Sequence, residues 1–303
     1  MNWLIIALLS PALWAASSHI DKYLIEKYFK GRGVGALIIF SSIIGVFVLP
    51  FILLFEPKPF NISFAQLILI IFSSVISILA ILIYLYALKK DEASIVVPLF
   101  QTIPIFAFIL GYLFLGEILS HRQIAGGLLI ILGGLGLSLD LKEKVPRLKS
   151  NIFFLMLLAS LLIAISGLLF KVVAVEANFW TATFWAYAGE ILMGAIFLVF
   201  IKSYRVEFWQ VIQINKLAVL SLNAFNEVIN VIATLIFRFV ILLAPLALIW
   251  AINGLQPLFV FLFGVILTLF FPNLEKESLA KKNVIQKIFT ILIMFLGTYF
   301  LYT

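Results

Sequence analysis

The chain has no cysteine, two histidines (His19 and His121) and only 12% charged residues among its 303. Without cysteine there are no disulfides, no thiolate metal sites and no thiol nucleophile. Two histidines far apart in sequence make neither a metal set nor a catalytic constellation, so no enzyme, metal or cofactor is expected. The scarcity of charge beside 64% hydrophobic residues excludes a water-soluble fold, which has no interior large enough for that share. Gly31, Gly33 and Gly35 follow no strand, so there is no phosphate-cradling loop through which ATP would act directly. The net charge of +7 and a pI near 9.5 would suit nucleic acid, but the basic residues sit between apolar runs rather than on one patch, and no such partner is expected. No basic region precedes the first apolar run, which therefore reads as a first span and not a signal peptide.

What the chain has is long apolar runs. Ten reach or approach the length that crosses a hydrocarbon core: 3–20, 34–55, 62–88, 93–115, 124–139, 152–175, 179–201, 217–243, 246–271 and 284–302. Only helices satisfy their own backbones in lipid without closing a barrel, and the runs are too long and continuous for barrel strands. Pro245 separates the eighth run from the ninth. Seventeen of the twenty-one Lys and Arg lie in, or within a turn of, connections 1-2, 3-4, 5-6, 7-8 and 9-10; the others are Lys58, Arg122, Lys171 and Arg238. By the positive-inside rule those five connections face the cytoplasm and both termini lie outside, in the plasma membrane.

The basic central connection, with Lys142, Lys144, Arg147 and Lys149, divides the chain into residues 1–141, a loop at 142–150 and residues 151–303. Five spans per half is odd, so two similar halves must sit in opposite orientations, and the charge bias inverts between them as it should. Pro104-Ile-Phe-Ala-Phe-Ile-Leu-Gly111 echoes Pro257-Leu-Phe-Val-Phe-Leu-Phe-Gly264, with Pro, both Phe and Gly identical. The expected fold is all-α, with ten transmembrane helices as two inverted five-helix repeats.

The most informative span is the eighth, which carries Asn223, Asn226, Glu227, Asn230, Thr234 and Arg238. At helical spacing the six fall within about 60° of one line, forming a stripe roughly 22 Å long. Polar groups of this kind facing lipid are costly, with ionisable ones at about 2.5–3.5 kcal/mol each, so the stripe faces protein or water. It is either a network joining helices or the wall of a substrate path, and an intramembrane Glu favours the path. Glu190 lies at the centre of span seven. With Glu227 it gives two carboxyls able to carry a coupling proton or bind a cationic amine. Lys171 and Arg238, near span ends on one side, could together receive a carboxylate or phosphate, or snorkel to the interface. Asp21 and Lys22 read as an interfacial ion pair.

Spans four and nine join polar residues to helix interruptions, at Pro98, Gln101, Thr102 and Pro104 and again at Asn253, Gly254, Gln256 and Pro257. Matched breaks in two halves point to a transporter's binding site. Trp14, Tyr84, Trp185, Tyr187 and Trp250 are candidate cavity walls. Trp180 is a further candidate wall, but with Trp3 and Tyr302 it reads better as an interface anchor.

Residues Ala93 to Leu139, ASIVVPLFQTIPIFAFILGYLFLGEILSHRQIAGGLLIILGGLGLSL, resemble the fourth and fifth spans of the EamA-type transporters of the drug/metabolite transporter superfamily. The features shared are a Pro-containing span, the Gly116-Glu117 turn and a final span rich in glycine (Gly126, Gly127, Gly133, Gly134). Trp14 followed by Lys22 is similar to that family's first span. The resemblance implies a basket of inverted repeats around a central cavity that moves small metabolites, often outward, by alternating access. Amino-acid-like or amine solutes are the first expectation; translocation of a lipid-linked intermediate and a non-transporting accessory role are the alternatives. The second half departs from the pattern, with Phe271-Pro272-Asn273 in place of Gly-Glu. The family's usual cytoplasmic termini also oppose the charge count.

Overall fold

The computed structural model describes residues 3–27, 35–90, 96–138, 150–213, 216–270 and 281–302, and every regular element among them is helical. The central connection, Gly31, Gly33 and Phe271-Pro272-Asn273 lie outside the described residues. The helices are α1 (Trp3–Lys27), α2 (Gly35–Leu53), α3 (Phe64–Lys90), α4 (Ile103–Leu115), α5 (His121–Ser138), α6 (Ser150–Glu176), α7 (Phe179–Phe200), α8 (Lys202–Gln213), α9 (Lys216–Val240), α10 (Leu246–Asn253), α11 (Gln256–Phe270) and α12 (Lys281–Tyr302). Six stretches are long and apolar enough to cross a membrane: Trp3–Leu24, Phe64–Ala87, Ser150–Glu176, Phe179–Phe200, Val219–Val240 and Leu246–Phe270. Four shorter apolar helices accompany them: Ile38–Leu53, Leu99–Leu115, His121–Leu137 and Ile285–Leu301. This is a multi-pass membrane protein.

Both expected breaks are present. A 3-10 turn at Val97–Thr102 leads into α4, where Pro104 in the first turn loses no helical hydrogen bond. The ninth run divides at Gly254-Leu255 into α10 and α11. The 7-8 connection holds something composition did not announce, the twelve-residue α8. Its Phe208 and Val211 are buried while Lys202, Trp209 and Gln210 are exposed, the pattern of a helix lying along an interface. Arg205 Nη1 donates to Val199 O at 2.6 Å, satisfying a carbonyl that the end of α7 leaves open.

α1 and α9 pair antiparallel. Trp14 meets Phe237 with ring centroids 5.5 Å apart, while Asp21, further along α1, meets Asn226, earlier in α9. Tyr204 of α8 lies over Gly35 at the start of α2, and at the other end Phe55 stacks on Trp180 at 4.7 Å. One end of the bundle, the α8 end, is therefore filled by Leu24, Ile38, Ile78, Phe208 and Val219, and the opposite, Trp180 end by aromatic contacts. α3 packs on α6 and α7, with Ser73 donating to Ser166 O at 2.9 Å and Ser74 to Ala186 O at 2.9 Å.

The glycines of α5 serve two faces. A Cβ on Gly126 would lie 2.6 Å from Gly297 O of α12, whereas Gly134 lies against Gln101 and Gly254. Backbones that close leave no room for a side chain. Gly126→Val should therefore separate α5 from α12 at an overpacking cost of about 1–3 kcal/mol. The expected result is a melting temperature in detergent several degrees below the parent, read by tryptophan fluorescence; an unchanged value would mean the two helices are not in contact in the micelle.

Candidate functional site

The stripe on α9 faces protein, as its cost in lipid requires, but it is two sites rather than one. Glu227 and Arg238 are eleven residues apart in the chain, or about 16 Å along a helix axis.

The site nearer the α8 end joins helices from both halves of the chain. Asn226, 2% exposed, donates from Nδ2 to Asp21 Oδ1 of α1 at 2.7 Å. Glu227, 8% exposed, accepts from Ser41 Oγ of α2 at 2.5 Å. Ser17 also bonds Asp21, and Asn230 bonds Glu227. Asn223 turns back on its own helix, donating to Val219 O at 2.9 Å. Asp21, which its position suggested as an interfacial residue, is carried inward to Asn226 by the antiparallel α1–α9 pair.

Nearer the Trp180 end, Arg238 Nη2 donates to Glu190 Oε1 at 2.6 Å. Its guanidinium lies 4.7 Å from the Tyr187 ring centroid and 5.3 Å from that of Phe170. Arg238 Nη1 and the Tyr187 hydroxyl are both buried without a hydrogen-bond partner. Thr234 is half-buried between the two sites. Trp14 and Trp250 flank Phe237 with centroids at 5.5 and 4.6 Å, forming an apolar wall beside Arg238.

Lys171 does not join Arg238 to make a paired cation receptor. Its Nζ donates to Glu117 Oε1 at 2.6 Å and to Ala244 O at 2.8 Å. The cause is local. Gly116 ends α4 at φ 65°, the left-handed conformation glycine adopts without strain, and the chain turns so that Glu117 N–H bonds Gly111 O at 3.1 Å. The carboxylate then lies where a Cβ on Gly111 would be, 2.5 Å from Oε2. From there Oε2 accepts from Leu246 N–H at 2.8 Å, at the start of α10, where Pro245 offers no side-chain acceptor. One carboxylate caps a helix of the second half and neutralises a lysine of α6.

The broken spans meet. Gln101 Nε2 reaches Gly254 O at 3.5 Å, while Gln101 Oε1 and Asn253 Oδ1 are buried without partners. Asn253 Nδ2 bonds Ile249 O, and Gln256 Nε2 approaches Ser18 Oγ at 3.5 Å. Trp185 anchors the connection between α2 and α3, donating to Pro59 O at 2.8 Å. A pocket of about 130 Å³ lies apart from the polar sites between α4, α5 and α10, lined by Phe108, Ile124, Leu128, Ile131, Leu248 and Ala251 among others. Among the described residues no three His, Cys, Asp or Glu are grouped to hold a metal.

Sequence reasoning missed Ser41, and it gave Asp21 only an interfacial role and Glu117 only a place in a turn. Ser41 carries no signal a single sequence would raise. Glu117 does, as a carboxylate set directly after a glycine at the end of an apolar span.

Residues 1–139 match the EamA-like transporter family. An uncharacterized protein of Methanocaldococcus jannaschii is 43% identical over 70 residues, which are 23% of this chain and 51% of that protein. The match thus spans about half of a relative less than half as long as this chain. A solved crystal structure of a protein is 11% identical and superposes with a TM-score of 0.65 over 99% of this chain and 96% of the other, a likeness of fold alone.

Proposed function

We propose, taking the match of residues 1–139 to EamA-like transporters as the premise, that this chain is a secondary transporter of small polar metabolites, amino-acid-like or amine solutes first. It works by alternating access between two inverted five-helix repeats. Six span-length stretches and four shorter apolar helices support a reading with ten spans. The packing supports an exchange of halves: α3 lies on α6 as α9 lies on α1, and α4 touches α6 as α11 touches α1. A relative less than half as long as this chain suits a duplicated unit. The charge bias turns the α8 end to the cytoplasm, and solutes leave toward the Trp180 end.

The observation that carries the function is the α9 stripe. It holds charged and amide groups inside the bundle, bonded to α1 and α2 at one site and α7 at the other, with Asn226 Oδ1, Arg238 Nη1 and the Tyr187 hydroxyl buried and unpartnered. A structural network would satisfy these atoms; a passing solute satisfies them in turn. Glu190 and Glu227, which have separate partners, are the groups through which protons would couple to flux.

The test is thermal stability of the purified protein against amino acids, amines, nucleobases, sugars and organic phosphates, beside Glu190→Gln/Glu227→Gln. A solute at 100 times its dissociation constant adds about 2.7 kcal/mol to the folded state, a readable shift. A stabilising solute whose effect the variant loses supports transport through the stripe. A solute bound equally by both proteins moves the site elsewhere, and silence across the panel counts against the transporter.

A further inference from the structure

Four carboxylates described above reach into the bundle, and they divide by the company they keep. Glu117 holds Lys171 and Glu190 holds Arg238. Asp21 and Glu227 have no ion-pair partner among the described residues; their partners, Asn226, Ser17, Ser41 and Asn230, are all neutral donors. The two carboxylates are close enough to act on each other's charge, and Glu227 is buried. Neutral donors offset part of the desolvation of such a pair, but whenever both are ionised they leave its negative charge standing.

The amide between them supplies the second observation. Asn226 is 2% exposed and its Nδ2 is committed to Asp21, while its Oδ1 is buried with no donor. A buried amide oxygen without a donor costs about 1–3 kcal/mol, and here the amide is bonded to one carboxylate and immediately precedes the other in the chain. A positive group placed there would satisfy all three at once. Tyr84, whose ring meets Phe100 at 4.8 Å, lies within range of the Asp21 charge and adds an aromatic wall.

We propose that Asp21, Asn226 and Glu227 form a binding site for a monovalent cation, either an alkali ion or the primary ammonium of a solute, through two carboxylates and the amide oxygen. Oxygen donors from three residues suit a hard cation, and the same acceptors suit the N–H groups of an ammonium. The site draws α1 to α9 across the two halves of the chain, so filling it favours the closed α8 end. Its purpose rests on the transporter reading; its geometry does not.

The purified protein is melted in sodium, potassium or methylammonium chloride, each at the ionic strength of a choline chloride control; choline has no N–H on its cationic nitrogen, and its methyl groups keep oxygen donors from close approach to the charge. The melting temperature should rise saturably in at least one of the three relative to choline. Asp21→Asn and Glu227→Gln should each weaken the half-saturating concentration tenfold or more, while Gln66→Ala, at the Trp180 end, leaves it unchanged. A response to sodium or potassium alone assigns an inorganic ion, and a response to methylammonium alone assigns the solute's amine. If Asp21→Asn does not fold, Asn226→Leu is read in its place. Identical melting in all four salts overturns the site, as does a response that survives in the variants. The two readings fail separately: a solute bound with no cation response keeps the transporter and removes this site, whereas a cation response with a silent solute panel does the reverse.

Discussion

Glu117→Ala should destabilise the protein by about 3–5 kcal/mol, more than substitution of any residue on the α9 stripe. The carboxylate has two tasks, and alanine performs neither. Lys171 and Glu117 are each only 12% exposed; removing one partner leaves the other charge buried, which costs far more than the pair contributes when intact. The Leu246 N–H, 2.8 Å from Oε2, loses its acceptor as well, at the cost of a missing helix cap. Glu117→Gln keeps an acceptor for Leu246 and should fall between alanine and the parent. Glu117→Ala with Lys171→Met removes both charges and should recover most of the loss, since an apolar pair replaces a buried ion pair at little cost. Unfolding by denaturant in detergent, followed through tryptophan fluorescence, gives all four values. A single alanine variant within about 1 kcal/mol of the parent would mean the pair behaves as an exposed one, and the turn would lose its role as the link between halves.

That link shows where a sequence stops being legible. The spans could be read because apolar length and helical geometry are local properties: 62–88 was expected where α3 runs from Phe64 to Lys90, and 179–201 where α7 runs from Phe179 to Phe200. The breaks at Pro104 and Pro257 were legible for the same reason, since proline acts on its own helix. The stripe was legible because six residues share one face. Partners were not. Lys171 and Arg238 look alike in sequence, each a cation inside a span near its end, yet one meets Glu117 of α4's terminal turn and the other Glu190 of α7. Which carboxylate reaches which cation depends on helix packing between distant segments, and no periodicity in one helix encodes it. Asp21 was misread for that reason: directly after the end of its own apolar run it resembles a boundary residue, and only α9 beside α1 makes it interior. α8 was missed because its mean hydropathy is low and a short amphipathic helix between two spans reads as a connection.

Arg238→Leu should reduce uptake or export of the transported solute at least tenfold, and Tyr187→Phe should reproduce part of that loss while leaving the unliganded protein as stable as the parent or more so. The two variants separate binding from folding. Leucine leaves the Glu190 carboxylate without its cation and so lowers stability as well; Glu190→Gln beside Arg238→Leu should restore stability without restoring transport. Tyr187→Phe removes a hydroxyl that has no partner in the protein alone, so the folded state loses nothing. A solute oxyanion placed against Arg238 Nη1 and that hydroxyl would lose one hydrogen bond to a charged group, worth about 1.5–3 kcal/mol, or roughly a 10- to 150-fold weaker dissociation constant. The guanidinium is fixed for this role by its Nη2 bond to Glu190 and by the faces of Tyr187 and Phe170, so Arg238→Lys, which lacks the planar fork, should not substitute for it. Flux into proteoliposomes and binding by thermal shift provide the measurements. If Tyr187→Phe binds and transports like the parent, the free donors near the Trp180 end face no solute, and the Glu190–Arg238 pair serves to hold α7 against α9.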